Sequence, residues 1–80
     1  MLVEILYPDG SIKLVNMESG VFLCLTYYYG SEEWGVSIHY QDRDTGLGNY
    51  GSKAVAQRLY DNVKSKWVGN RTIFTHRYGC

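Results

Sequence analysis

The chain has 80 residues, 45 % hydrophobic and 20 % charged, and its eight basic and eight acidic side chains give a formal charge of zero. That balance is too apolar for a disordered chain and fits one small domain over residues 1–80, with a thin core, a net stability of about 5 kcal/mol and little room for a deep catalytic cavity. No apolar run reaches the roughly 18 residues of a membrane span, and the N-terminus has no basic stretch ahead of a cleavage site, so a cytoplasmic protein without membrane contact is expected.

Residues 2–7 are apolar around a single charge, Glu4, and Pro8-Asp9-Gly10-Ser11 is a strong turn signal: proline presets φ and glycine accepts positive φ. Ile12 to Val15 reads as the returning strand of a hairpin, and Asn16 to Gly20 as a second turn. Val21 to Tyr29 is nine residues without a charge, rich in aromatic and β-branched types, and reads as a central strand. After a turn at Gly30 to Glu33, Trp34, Val36, Ile38 and Tyr40 alternate with Gly35, Ser37, His39 and Gln41, the clearest period of two in the chain.

Residues 42–51 are polar and glycine-rich and read as a loop that crosses the sheet. Ser52 is a suitable N-cap for the helix that follows, whose apolar arc is Val55, Ala56, Leu59, Tyr60, Val63 and Trp67. Lys64 and Lys66 suit its C-terminal dipole, and Gly69 is placed to end it. Arg71 to Tyr78 alternates as a last strand. The order β-β-β-β-α-β predicts an α+β fold: a mostly antiparallel sheet of four to five strands with one amphipathic helix on one face. Leu59 and Trp67 should pack on Val36 and Ile38. The uncovered face should carry Phe22, Cys24, Thr26 and Tyr28 with Ser37, His39 and Gln41.

Charge is unevenly spread. Residues 1–50 hold seven acids against Lys13 and Arg43, whereas residues 51–80 hold six basic side chains against Asp61. The two halves could attract one another, or form a dipolar surface that steers a charged partner.

Several short patterns suggest chemistry. Gly46-Leu47-Gly48-Asn49-Tyr50-Gly51 spells a dinucleotide-binding turn but lacks the parallel strands and the downstream acid, and Ser52-Lys53 reverses the order a phosphate loop needs. Arg43-x-x-Gly46-x-Gly48, between a strand and a helix, is similar to the pyrophosphate loop of acyl-CoA-dependent N-acetyltransferases. The likeness covers about forty residues, Trp34 to Arg77, and implies backbone N–H groups of 46–51 gripping a pyrophosphate at the helix N-terminus. That family has further structure after the strand that follows this helix. Asp42-x-Asp44-x-Gly46 starts like a calcium loop without the closing acid, and His39 and His76 lack partners at ligand spacing, so no metal, cofactor or catalytic residue is expected. Cys24 reads as core packing and Cys80 as a free thiol, both reduced. Asn70-Arg71-Thr72 is then a sequon without glycosylation meaning.

Eight tyrosines and two tryptophans exceed what so small a core requires, although some of them could simply cap sheet edges. The leading expectation is a non-enzymatic binding or inhibitor module that covers a surface of a larger protein or protein–nucleic acid machine. In size and style it resembles phage and mobile-element counter-defence proteins such as anti-CRISPR proteins. Glu32, Glu33, Asp42 and Asp44 would imitate phosphates in a basic groove, with Tyr28, Tyr29 and Trp34 as anchors. The second expectation, from a different class, is a nucleic-acid-binding module in which Lys53, Lys64, Arg71 and Arg77 contact phosphate while Tyr28 or His39 stacks on bases. The third is a minimal acyltransferase.

Overall fold

The computed structural model describes residues 1–18 and 20–80. The expected turn at Asn16 to Gly20 includes Ser19, which lies outside the described residues. The elements are β1 (Leu2–Leu6), β2 (Ile12–Asn16), β3 (Val21–Tyr28), β4 (Glu33–Tyr40), β5 (Arg43–Tyr50), α1 (Lys53–Val68) and β6 (Ile73–Arg77).

The α+β class and the single helix are as the sequence predicts, but among the described residues the strands number six and form two sheets of three, ordered β2-β1-β6 and β3-β4-β5. In the first sheet β1 pairs with β2 antiparallel and with β6 parallel, Leu2 standing opposite Ile73 and Leu6 opposite Arg77. The β1–β2 turn is fixed as its residues dictate: Gly10 takes φ +89°, and both the Ser11 hydroxyl and its backbone N–H donate to the Asp9 carboxylate. Those two donors hold the Asp9 carboxyl below the usual carboxylate range.

The second sheet is an antiparallel meander, and here the sequence expectation needs correction. Residues 43–50 are a strand and not a crossover loop. Gly46 and Gly48 stand opposite Ser37 and Val36 in the β4–β5 ladder, and Leu47 between them is the extra residue of a bulge. The bulge frees the Leu47 carbonyl to accept two bonds from beyond its own sheet, from the Gly79 N–H at 3.0 Å and from His76 Nε2 at 2.8 Å. Because the carbonyl can only accept, Nε2 of this buried imidazole carries the proton. This one bulge therefore stitches the end of the first sheet to the edge of the second.

One core serves both sheets. Val3, Ile5, Val15 and Phe74 come from the first, Val36, Ile38 and Leu47 from the second, and Ala56, Leu59 and Val63 from α1. Each Val, Leu or Ile so buried contributes about 1.5–3 kcal/mol of transfer free energy. Leu59 is buried as expected, whereas Trp67 is half-buried at the core margin and Val55 lies outside it at 40 % exposed. The helix begins at Ser52, whose carbonyl accepts from the Ala56 N–H although its side chain makes no capping bond. At the other end Gly69 keeps an ordinary φ of −76°, and Asn70, at φ 57°, is the left-handed residue. The Asn70 N–H donates to Trp67 O and the Arg71 N–H to Lys66 O, which is the paired bonding of a Schellman ending. Asparagine can fill that role because its short polar side chain tolerates the left-handed region.

Candidate interaction surface

Antiparallel register places directly opposed residues on the same face. Val21, Leu23, Leu25 and Tyr27 thus share the helix side of the second sheet with Trp34, Val36, Ile38 and Tyr40. The other face carries Phe22, Cys24, Thr26 and Tyr28 beside Glu33, Gly35, Ser37 and His39, with Asp44 and Asn49 from β5. This is the uncovered face the sequence predicts. Cys24 is on it, half-buried rather than in the core, and both cysteines are unbonded. Small residues occupy its middle and aromatic ones its ends. Phe22 tilts against His39 at one end, their ring centroids 6.4 Å apart, and the Tyr28 ring lies over Gly35 at the other, where a Cβ would come within 2.5 Å of it.

The seven residues expected to bind a partner do not form one patch. Tyr28, Tyr29, Glu32, Glu33 and Trp34 cluster around the β3–β4 turn. Asp42 and Asp44 sit at the β4–β5 turn, the length of β4 away, roughly 24 Å at 3.4 Å per residue. Asp44 is also already engaged, its carboxylate 2.6 Å from His39 Nδ1.

The β3–β4 end is a built aromatic cluster. Tyr27 packs against Trp34 at 5.0 Å and meets Tyr29 edge-on at 4.9 Å, and Lys53 Nζ from the first turn of α1 lies 5.1 Å from the Trp34 ring. Sequence reasoning did not include Tyr27 in the site. Its signal was available, because it stands directly opposite Trp34 once the turn is placed at 29–32. Tyr29 is 86 % exposed despite that support. Glu32 beside it is held at φ 55°, a left-handed position that few residues of its kind occupy.

The basic residues of the second expectation are also divided. Lys53 and Lys64, eleven positions apart, fall on one stripe of α1 about 17 Å apart, and Arg71 follows the helix C-terminus. Arg77 belongs to the first sheet. Tyr28 and His39 are on the sheet face turned away from the helix, so phosphate contacts from the lysines and base stacking on those rings would fall on opposite sides of the sheet. Nor do the acidic and basic halves of the chain neutralise one another by close pairs: among the described residues, the contact within 4.0 Å between a basic and an acidic side chain is His39–Asp44, both from residues 1–50.

A groove of about 480 Å³ lies beside α1, lined by Val55, Arg58, Leu59, Asn62, His76 and Cys80. Its imidazole is committed to the Leu47 carbonyl. A second aromatic cluster fills the seam between the sheets, where Tyr7 stacks on Tyr78 at 5.4 Å and the Tyr50 hydroxyl donates to the Cys80 carbonyl at 3.2 Å. Burial pushes the Tyr7 hydroxyl above its ordinary value, with Tyr78 and Tyr40 adding to the shift. Burial does the same for Tyr50, helped by Cys80 and Tyr78. With Gly46 and Gly48 in a ladder, the loop geometry implied by the likeness to acetyltransferases is not formed at these two positions.

No family model, no curated protein and no solved structure matches the chain. No helix among the described residues is long and apolar enough to cross a membrane.

Proposed function

We propose that this protein is a binding module whose working surface is the β3–β4 end: Tyr28, Tyr29, Glu32, Glu33 and Trp34, backed by Tyr27 and Lys53. The observation that carries the reading is Tyr29, a large aromatic side chain left 86 % exposed while Tyr27, itself packed on Trp34, meets its ring edge-on. An aromatic side chain has few rotatable bonds and so gives up little conformational entropy on binding, which is the property of interface anchors. Glu32 shares the turn with it and Glu33 stands opposite Tyr28, and the two acids select a partner that is basic at the matching place, such as a lysine- or arginine-lined groove of a protein that handles nucleic acid. A counter-defence inhibitor of the anti-CRISPR kind is one context that such a surface suits. Asp42 and Asp44 do not belong to it.

The test compares two charge-reversed variants for the proteins they retain when immobilised and exposed to host extract. Glu32→Lys with Glu33→Lys should lose the retained partner, while Lys64→Glu with Arg71→Glu should keep it. Lys53 is left alone because it rests on Trp34. Both variants should stay folded, since Glu32, Lys64 and Arg71 are exposed charges that contribute little to stability and Glu33 is only half-buried at the first position of β4. Direct titration with single-stranded and duplex nucleic acid supplies the contrary outcome. Saturable binding that weakens steeply with salt and disappears on reversing Lys64 and Arg71 would replace this proposal with the nucleic-acid reading.

A further inference from the structure

We propose that β3 is the seam of a symmetric dimer, in which two copies of the chain pair their β3 strands antiparallel and join the two meanders into one six-stranded sheet. Strand edges present unpaired N–H and C=O groups, and soluble proteins protect them with charges, bulges, proline or covering chain. Three of the four edges here are protected. β2 carries Lys13 in mid-strand, β5 carries Arg43, Asp44 and the Leu47 bulge, and the free side of β6 meets β5 through His76 and Gly79. β3 is the exception. It is an outer strand of eight residues, Val21–Tyr28, without a charge, a proline or a bulge, and among the described residues its strand partner is β4 alone.

The occupant that fits is a second copy of the same strand. A two-fold axis normal to the sheet keeps each side chain on its own face, so opposed residue numbers must share parity and the axis must pass through a residue. Centred on Leu25, it sets Phe22 against the partner's Tyr28, Cys24 against the partner's Thr26, and Leu23 against the partner's Tyr27. Every pair is then apolar or neutral, and the aromatic pairs formed at both ends are of the kind that stabilises cross-strand contacts. Phe22, 62 % exposed, and Tyr28, 42 % exposed, gain a neighbour on the open face, while the half-buried Leu23 and Leu25 extend the helix-side core across the seam. A formal charge of zero leaves no net repulsion between copies to oppose this. In this register Tyr28 meets the partner's Phe22 and Tyr29 stands opposite the partner's Val21, so the dimer engages two residues of the proposed binding surface and leaves Glu32, Glu33 and Trp34 outside the seam; sedimentation of the chain alone reads the dimer without reference to any other partner.

Sedimentation of the native chain under reducing conditions should give a particle of twice 9.2 kDa that dissociates on dilution. Thr26→Lys, on the exposed side of β3, should sediment as a monomer with an unchanged circular dichroism spectrum. Register is tested separately with Thr26→Cys in a Cys80→Ser background, oxidised with diamide, which takes up the two hydrogens released as each disulfide forms. Peptide mapping should show Cys24 of one copy linked to position 26 of the other. A native chain that stays monomeric at all concentrations, a Thr26→Lys variant that remains dimeric, or crosslinks joining only like positions would each overturn the proposal.

Discussion

Gly48 and Gly46 lie two residues apart in β5, yet an added methyl group should have opposite effects at the two positions. At Gly48 a Cβ would come within 2.5 Å of the Tyr50 hydroxyl oxygen, 2.8 Å of its Cζ and 3.1 Å of the Gly79 Cα, so the Tyr50 ring must move. Crowding of this kind costs about 1–3 kcal/mol. Displacing the ring also breaks its bond to the Cys80 carbonyl, about 0.5–1.5 kcal/mol more. Alanine recovers about 0.5–1 kcal/mol because it loses less backbone entropy than glycine in a strand. Gly48→Ala should therefore destabilise the chain by about 2 kcal/mol, which in a domain this small lowers Tm by about 8–16 °C. At Gly46 the nearest atom is Tyr78 Cε2 at 3.7 Å, an ordinary contact, so Gly46→Ala should be neutral or stabilise by about 0.5 kcal/mol. Urea unfolding of both variants decides the matter. In a Tyr50→Ala background the Gly48→Ala penalty should shrink by about 1 kcal/mol or more, as a double-mutant cycle reveals for groups in contact. If Gly48→Ala is silent with Tyr50 present, or if both alanines cost the same, then ring packing is not what these glycines serve.

Leu59→Ala should destabilise by about 2–4 kcal/mol in the same assay, because Leu59 is buried in the core that joins α1 to both sheets; a loss below about 0.5 kcal/mol would mean the helix packs elsewhere. Tyr7 and Tyr50 predict an alkaline weakness. The folded chain holds both protons more tightly than an unfolded tyrosine with its value of 10.0, so their contribution is complete below pH 10.0 and is lost as the pH rises through the raised values. The urea midpoint should fall above pH 10.0, and the fall should be shallower in Tyr7→Phe with Tyr50→Phe; an identical slope would show that the two hydroxyls titrate freely.

Local rules made most elements legible. Pro8-Asp9-Gly10-Ser11 specifies its hairpin turn by itself, the alternation from Trp34 to Tyr40 fixes which face of β4 is buried, and the spacing of Ala56, Leu59 and Val63 phases the helix. β5 was not legible, because Gly46 and Gly48 remove the β-branched signal that marks a strand. At Gly48 glycine is needed because of where the Tyr50 ring and the Gly79 backbone lie, and the approach of Gly79, 31 positions on, arises only in the folded chain. The division into two sheets was hidden for a related reason: the partner of β1 is β6, and nothing in either strand names the other. At the candidate surface, the aromatic residues and acids of the β3–β4 turn could be read as neighbours because they adjoin in sequence. The separation of Asp42 and Asp44 from them follows from β4 itself, an eight-residue strand that puts its two ends roughly 24 Å apart.

The parallel pairing of β1 with β6 bears on the order in which the chain can acquire its structure. Glu4 and the Thr75 whose hydroxyl donates to it are 71 positions apart, whereas every pairing in the other sheet joins strands that are consecutive in the chain. The meander and the helix beside it can form by closing short loops, but the first hairpin is too small to be stable by itself and gains its third strand only after all the intervening chain is in place. The residues of β1, synthesised before α1 and β6, are thus among the last to find their final neighbours. Val3 and Ile5, with no exposure at all in the finished protein, are the side chains that a ribosome-bound chain would show for longest.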